Sequence, residues 1–188
     1  IFGFLRDVQD LQKQFSTSNI IFCFDKGKGL REQAFPWYKE TRRLKEAALP
    51  DDEWEAKQEL RRQMRLLRKE YLRGIGYRNI FAQKGYEADD LIASLCQHTL
   101  AGQRVTIVSG DNDLWQLLSK LVSQYNPNHR KVTTRDSFVR EWGIEPGQWA
   151  QVKAIAGCDT DDVPGVRGVA AATAAKYLRG EVKRKSLT

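Results

Sequence analysis

The sequence predicts an α/β protein, a mainly parallel sheet flanked by helices, with a helical segment appended behind it. Three observations lead there. Apolar runs of strand length, at residues 20–24 and 105–108, alternate with amphipathic stretches of helical period. Each of these runs gives way to acids at its carboxyl end. Beyond Asn126 the pattern changes to short helical stretches punctuated by Gly and Pro. A chain of 188 residues with 41% apolar content can bury a real core, as one domain with an appendage or as two small ones.

The opening "IFGFLRDVQDLQKQF" repeats Phe4, Leu5, Val8, Leu11 and Phe15 at helical spacing. It starts without Met in the middle of that pattern, so the chain is expected to be a fragment with a segment missing upstream. "SNIIFCFDKGKG" reads as a strand buried on both faces that ends on Asp25. The basic, aromatic-bearing stretch 26–44 carries Pro36, which rules out one uninterrupted helix. Residues 51–73 read as a charged helix with one apolar stripe, Leu60, Met64, Leu67 and Tyr71; i to i+4 pairing on a solvated face accounts for most of its charges. "RNIFAQKGYEADDLIASLCQHTLAG" gives a short strand, a loop and a helix closed by Gly102. In "QRVTIVSGDNDLWQLLS", Val105, Ile107 and Val108 read as a buried strand, and Leu114, Trp115, Leu117 and Leu118 as a helix face. "TTRDSFVREWG", "EPGQWAQVKAIAG" and "DVPGVRGVAAATAAKYLRG" complete the helical appendage, with no solenoid repeat.

Lys and Arg number 31 against 24 Asp and Glu, a formal charge of +7. Such a balance favours a polyanionic partner without separating DNA from RNA or an anionic membrane. Cys23, Cys96 and Cys158 are far apart and in no C-x-x-C pair, so neither a disulfide framework nor a zinc site is indicated, and a reducing cytosol is the expected setting. His98 and His129 read as ordinary surface or loop residues. No stretch of the given sequence is apolar enough to span a bilayer, and none reads as a secretory n-region or h-region.

The acids carry the chemistry. Asp111 and Asp113 stand one residue apart where strand meets helix, Asp25 ends the earlier strand, Glu87, Asp89 and Asp90 open a helix, and "GCDTDD" spans 157–162. Each has a structural alternative, since Asp111 or Asp89 can equally serve as a helix cap. Four such segments at one sheet edge would repel one another and raise their pKa values, a conflict that a divalent cation resolves. Oxygen-only ligation points to Mg²⁺ or Mn²⁺ and away from zinc. Two such ions ~4 Å apart suit phosphodiester hydrolysis. In "VPGVRGVAAATAA", Gly165 and Gly168 flank a turn that either leaves N–H groups free for a phosphate or is a plain interhelix turn.

Taken together and in order, "FDKGKGLREQAFPWYKETR", "GYEADDLIASL", "IVSGDNDLWQLLS" and "AGCDTDDVPGVRGVAAATAAKYL" resemble the flap endonuclease and 5′-3′ exonuclease family, which includes the 5′-nuclease domain of bacterial DNA polymerase I and the phage 5′-exonucleases. The resemblance implies a PIN-like nuclease domain over 1–134, with a basic gateway and helical arch within 26–73, and a DNA-binding helix-3-turn-helix segment over 135–188. It places Asp25, Glu87, Asp89, Asp90, Asp111, Asp113 and Asp161 on the family's metal-site acids. Lys39 and Arg42 fall on its basic gateway and Tyr38 on an aromatic that stacks near the scissile nucleotide. Arg31, Lys153, Gly165, Arg167 and Gly168 are expected to contact DNA. Two Mg²⁺ or Mn²⁺ ions are implied, with K⁺ at the helix-3-turn-helix.

Two departures stand out. The family's first metal-binding Asp lies on a strand before the opening helix, ahead of Ile1. In the bacterial and phage pattern Gly-Asp-x-x-Asp, Cys158 stands where the first Asp is usual, and neighbouring Asp159 is the expected substitute. The resulting expectation is a monomeric, cytoplasmic, two-metal 5′ nuclease acting on flapped, branched or nicked DNA in replication or repair, with weak activity in the chain as given. The alternative is a branched-DNA-binding protein of the same fold. A receiver-like phosphorylation domain also gathers acids at strand ends but leaves the basic appendage and the glycine turn unexplained; a PIN-type ribonuclease would not need the helix-turn segment.

Overall fold

The structure is a computed structural model that describes residues 1–27 and 29–182; the expected end of the appendage at 188 lies outside them. The chain divides into two compact units, Ile1–Leu30 with Arg43–Ala88, and Arg31–Arg42 with the residues from Asp89 on.

In the first unit, helix α1 (Phe2–Gln14) leads to strand β1 (Phe22–Cys23), which pairs in parallel with β2 (Ile80–Phe81), Phe22 opposite Ile80. Val8, Phe22, Leu67 and Leu72 form its buried core, with Phe4, Leu5, Phe24 and Tyr77 packed around them. Phe22 meets Tyr77 edge-on at 5.0 Å, and the Tyr77 hydroxyl donates to Gln12 Oε1 at 3.1 Å. The basic stretch, whose residues Arg31–Arg42 belong to the second unit, forms α2 (Leu30–Ala34), breaks at Pro36, and resumes as α3 (Glu40–Ala47).

The charged helix α4 (Asp51–Leu66) runs into a π turn at Leu67–Tyr71 and a last turn, α5 (Leu72–Gly74). The apolar stripe expected at Leu60, Met64, Leu67 and Tyr71 is corrected here. Leu60, Met64 and Tyr71 are 59%, 36% and 45% exposed, whereas Leu67 and Leu72 are buried. The Leu72 N–H bonds the Leu67 carbonyl five residues back, and that wider turn brings residue 72 rather than 71 onto the face of Leu67.

Glu46 of α3 pairs with Lys57 at 2.7 Å and with Arg61, joining α3 to α4. The Lys57 hydrogen bond, aided by Arg61 and opposed by partial burial, holds the Glu46 carboxyl below its ordinary value. A lowered folded-state pKa contributes stability above the unfolded value and loses it as pH falls. Amide exchange in α3 is therefore expected to speed up as pH drops below about 4.5, beyond intrinsic exchange chemistry, and Glu46→Gln should remove that dependence. An unchanged pH profile in the variant would show that these pairs do not hold α3.

In the second unit, α6 (Ala88–Ser94) continues as a π turn to Thr99, and Gly102, with φ +83°, closes the stretch as expected. Strand β3 (Val105–Val108) pairs in parallel with β4 (Val122–Asn126), which pairs antiparallel with β5 (Lys131–Thr133). Among the described residues, two of the three strand pairings are thus parallel. Only Ile107 of the three expected buried residues of β3 is fully buried; Val108 is 42% exposed, because it shares with Thr106 the face of the strand opposite Ile107, which is uncovered.

A Thr134–Ser137 capping box starts α7 (Arg135–Trp142), and Gly143 ends it in the left-handed region. Helices α8 (Trp149–Ala156) and α9 (Ala171–Leu178) close the unit. Phe138, Trp149, Val152, Ala174 and Ala175 belong to one of its core clusters, joined by Trp115 and Trp142, with Trp142 and Trp149 rings 4.7 Å apart, and Ile107, Leu114 and Val122 form another. Burying these rings fixes α8, and through it Lys153.

Candidate functional site

The candidate site is built where β3 ends. The Ser109 N–H bonds the Tyr125 carbonyl at 3.0 Å and prolongs the strand ladder by one residue. The Asp111 N–H then donates to Ser109 Oγ at 3.0 Å, and the Asp113 N–H to Asp111 Oδ1 at 2.8 Å. Asp111 thereby caps a short 3₁₀ helix (Asn112–Leu117), in place of the α-helix that the apolar face suggested. The capping alternative is the geometry present, and it leaves the second oxygen of the exposed Asp111 carboxylate for other work.

From α8, Lys153 Nζ reaches within 3.0 Å of Asp113 Oδ1, a charge pair rather than an aligned hydrogen bond. Burial alone would lower the Lys153 pKa; the Asp113 carboxylate at its ammonium, with Cys158 and Asp111 behind it, outweighs burial and raises it. Asp111, Asp113, Lys153 and Cys158 therefore share one neighbourhood within the second unit.

The loop after α8 receives the basic gateway segment. The Lys39 N–H donates to the Asp161 carbonyl at 3.1 Å. Thr41 donates twice to the Asp162 carboxylate, from its backbone N–H at 2.8 Å and its hydroxyl at 2.6 Å. Asp162 acts as a helix cap supplied from 121 residues away, a role typically worth about 0.5–2 kcal/mol. Lys39 and Asp162 adopt φ +58° and +57°, left-handed conformations uncommon outside glycine and held here by these contacts. The Lys39 ammonium also lies 4.8 Å from the centre of the Tyr38 ring. Neither Thr41 nor Asp162 was singled out from the sequence; an Asp beside the expected Asp161 was the available signal.

Arg31, expected on DNA, forks onto Asp90 with bonds of 2.8 and 2.6 Å. Asp89, next to Asp90 in the first turn of α6, is half-buried, and Asp159 is exposed at the start of a 3₁₀ turn. Cys158 Sγ lies 3.2 Å from Thr160 Oγ1. Arg42 and Arg167 are exposed. Gly168 has φ +78° and open space around it, whereas Gly165 is packed backbone against backbone on the end of α8. In the first unit, Asp25 Oδ1 accepts the Ala88 N–H at 2.6 Å and Glu87 is half-buried beside it in sequence. Arg68 donates to the Asp25 carbonyl at 3.3 Å, and Lys26, Arg68, Lys69 and Arg73 line a cavity of about 250 Å³.

The acids are oxygen donors suited to a hard divalent cation. Asp90 and Asp113 are already compensated by the cations Arg31 and Lys153, marking them as carboxylates in positive surroundings. Among the described residues, no three His, Cys, Asp or Glu side chains converge closely enough to hold a metal in this arrangement. The donor chemistry fits a hard divalent cation.

A family profile described as the 5′-3′ exonuclease, N-terminal resolvase-like domain, matches residues 1–143. The 5′-3′ exonuclease of Bacillus subtilis is 34% identical over 184 residues, a match covering 94% of this chain and 57% of that protein. The thermostable DNA polymerase I of Thermus aquaticus is 31% identical, over 95% of this chain and 20% of the polymerase. The chain thus spans just over half of the first relative's length and a fifth of the second's. Among solved structures, bacteriophage T5 5′-exonuclease with bound divalent metal ions (zinc) superposes with a TM-score of 0.82 at 25% identity, over 95% of this chain and 66% of that one. A T5 flap endonuclease in a pseudo-enzyme–product complex with DNA and metal ions gives 0.80 at 25% identity, over 95% and 65%. The fold is accordingly PIN-like. Among the described residues, no helix is long and apolar enough to cross a membrane.

Proposed function

Because the chain belongs to the 5′-3′ exonuclease family, we propose that it carries the site of a metal-dependent, structure-specific 5′ nuclease that hydrolyses DNA phosphodiesters at flaps, branches or nicks. One observation supports this above others. Asp111 and Asp113 stand at the carboxyl end of β3 with Lys153 against them, and the gateway residues Lys39 and Thr41 are bonded to the 161–162 turn of the same unit.

Asp111, Asp113, Asp89, Asp90, Asp159 and Asp161 are assigned as ligands of divalent ions, and Asp25 and Glu87 are assigned to the same role from their motif positions alone. When bound, Mg²⁺ or Mn²⁺ would supply an acidified water and neutralise charge on the phosphodiester. Lys39 and Arg42 offset charge developing on the scissile phosphate, and Tyr38 offers a stacking face for the adjacent base. Lys153 and Arg31 are positioned to exchange a carboxylate partner for a phosphate when the ions bind. The segment from 135 onward, with α8, the glycine turn and α9, is assigned as a helix-3-turn-helix that grips duplex backbone through Lys153, Arg167 and the Gly165–Gly168 turn, with K⁺ against the phosphates. The protein is proposed to act as a cytoplasmic monomer. The deciding experiment is cleavage of a 5′-flap duplex with Mg²⁺, with Mn²⁺ and with EDTA. Metal-dependent cleavage is expected, and equal cutting in EDTA would end the metal reading. A second reading, binding without cutting, has one observation in its favour: the thiol of Cys158 where the resemblance implies a carboxylate. Tight flap binding with no cleavage in either metal would select it.

The cationic cavity of the first unit gives a separable test. Lys69 and Arg73 are proposed to hold single-strand phosphates, while Arg68 is tied to the Asp25 carbonyl. Lys69→Glu with Arg73→Glu should weaken single-strand binding and make the log affinity–log salt slope shallower by about 1.4, for two contacts at about 0.7 each. An unchanged slope would take the cavity off the strand's path.

A further inference from the structure

We propose that Gln124 is a positioning residue for the acidic turn, its carboxamide setting the direction in which Asp111 and Asp113 are presented. The inference rests on the metal reading above and deepens it. Gln124 sits in the middle of β4, opposite Ile107 on one side and Thr133 on the other, and is 1% exposed. A fully buried strand position in a sheet normally takes an aliphatic side chain. Here both amide protons are used on one target: Nε2 donates at 2.8 Å to the Ser109 carbonyl and at 2.8 Å to the Asp111 carbonyl.

Those carbonyls bracket the two residues over which the chain leaves β3 and starts its turn. Fixing both fixes the peptide planes on either side of Gly110–Asp111. The frame then passes onward, because the Asp111 side chain holds the Asp113 N–H. One buried amide therefore governs two carboxylates that it does not touch through their side chains. Among the described residues, Gln124 Oε1 is buried with no hydrogen-bond partner, so the residue carries an uncompensated polar atom in the core. A side chain chosen for burial alone would avoid that cost. Gln124 was absent from the expected site because it lies 13 residues from Asp111, in a largely polar stretch, VSQYN, that was not read as a strand.

The test uses Gln124→Met, which keeps length and approximate volume and removes both donors. In the metal-free chain, amide exchange at Asn112 and Asp113 is expected to accelerate. Mn²⁺ binding, followed by the paramagnetic relaxation of water protons, should weaken about 10-fold, the lower end of what loss of a ligand's supporting partner does. Flap affinity in EDTA should not change, a result that general loss of structure would not give. Unchanged exchange together with unchanged Mn²⁺ affinity would overturn the proposal. If wild-type chain binds no Mn²⁺ at all, the metal reading fails, while the exchange comparison still judges Gln124. A measurement on the wild type guards against a variant that does not fold: the Gln124 side-chain amide protons should exchange slowly, and exchange at the rate of an exposed glutamine would refute the brace directly.

Discussion

Asp111→Asn is expected to lower metal-dependent cleavage by at least about 10²–10³-fold while leaving the chain as stable as before. The substitution separates the two roles that one side chain combines. Asn keeps the oxygen that accepts the Asp113 N–H at 2.8 Å, and Asn caps helices about as well as Asp, so the turn survives. What disappears is the negative charge. A hard divalent ion binds a neutral amide oxygen far more weakly than a carboxylate, so loss of activity with an intact melting temperature would identify Asp111 as a ligand. DNA binding in EDTA should be unchanged or tighter, because a charge that repels phosphate is gone. Steady-state cleavage of a 5′-flap duplex across Mg²⁺ concentrations, with thermal unfolding on the same samples, gives both numbers. Full activity in Asp111→Asn would reduce the residue to its cap and place the ions elsewhere.

The contrast between these roles explains how far the sequence could be read. Strand ends were legible because an apolar run that stops on an acid has few other meanings: residues 20–24 and 105–108 hold β1 and β3, and Asp25 and Asp111 follow them. The helix ends at Gly102 and Gly143 were legible or readily explained for the same local reason. The π turn at 67–71 was not, since a helical period carried through Tyr71 hides the one-residue shift that makes Leu72 the buried position. Strand β5 escaped notice because three residues with Val132 exposed offer no alternation to detect. Within the site, residue types were legible and partners were not. Nothing local tells that Arg31 will fork onto Asp90, or that Asp162 will cap a helix beginning near Thr41. Such pairings are made by packing, which a one-dimensional pattern does not contain.

The glycines of the 157–168 loop show the same limit and supply the other large effect. Gly165 and Gly168 look alike in the sequence, yet Gly165→Ala is expected to be far more damaging. A Cβ on Gly165 would lie 2.3 Å from the carbonyl carbon and oxygen of Ala156 and 2.4 Å from the Gly157 nitrogen. These are backbone atoms, so no rotamer change relieves the clash. The crossing is also held closed, with the Val166 N–H on the Ile155 carbonyl at 2.7 Å and paired bonds between Cys158 and Val163 at 2.9 and 3.0 Å. Overpacking usually costs about 1–3 kcal/mol, and a clash against fixed backbone belongs at or beyond the top of that range. At about 2–4 °C per kcal/mol for a chain of this size, Gly165→Ala should lower the melting temperature by at least about 6 °C. Gly168 needs only its left-handed φ of +78°, with open space where a Cβ would go, so Gly168→Ala should cost about 1–2 kcal/mol. The exposed Arg167 should tolerate Ala with no measurable loss of stability. DNA binding orders the variants differently: Arg167→Ala should weaken duplex affinity through charge alone, in a salt-dependent way, whereas Gly165→Ala should lose it with the fold of the turn and so disturb Lys153 on the preceding helix. A Gly165→Ala protein that melts with the wild type would mean that the backbone crossing at Ala156–Gly157 is not the contact that holds this loop.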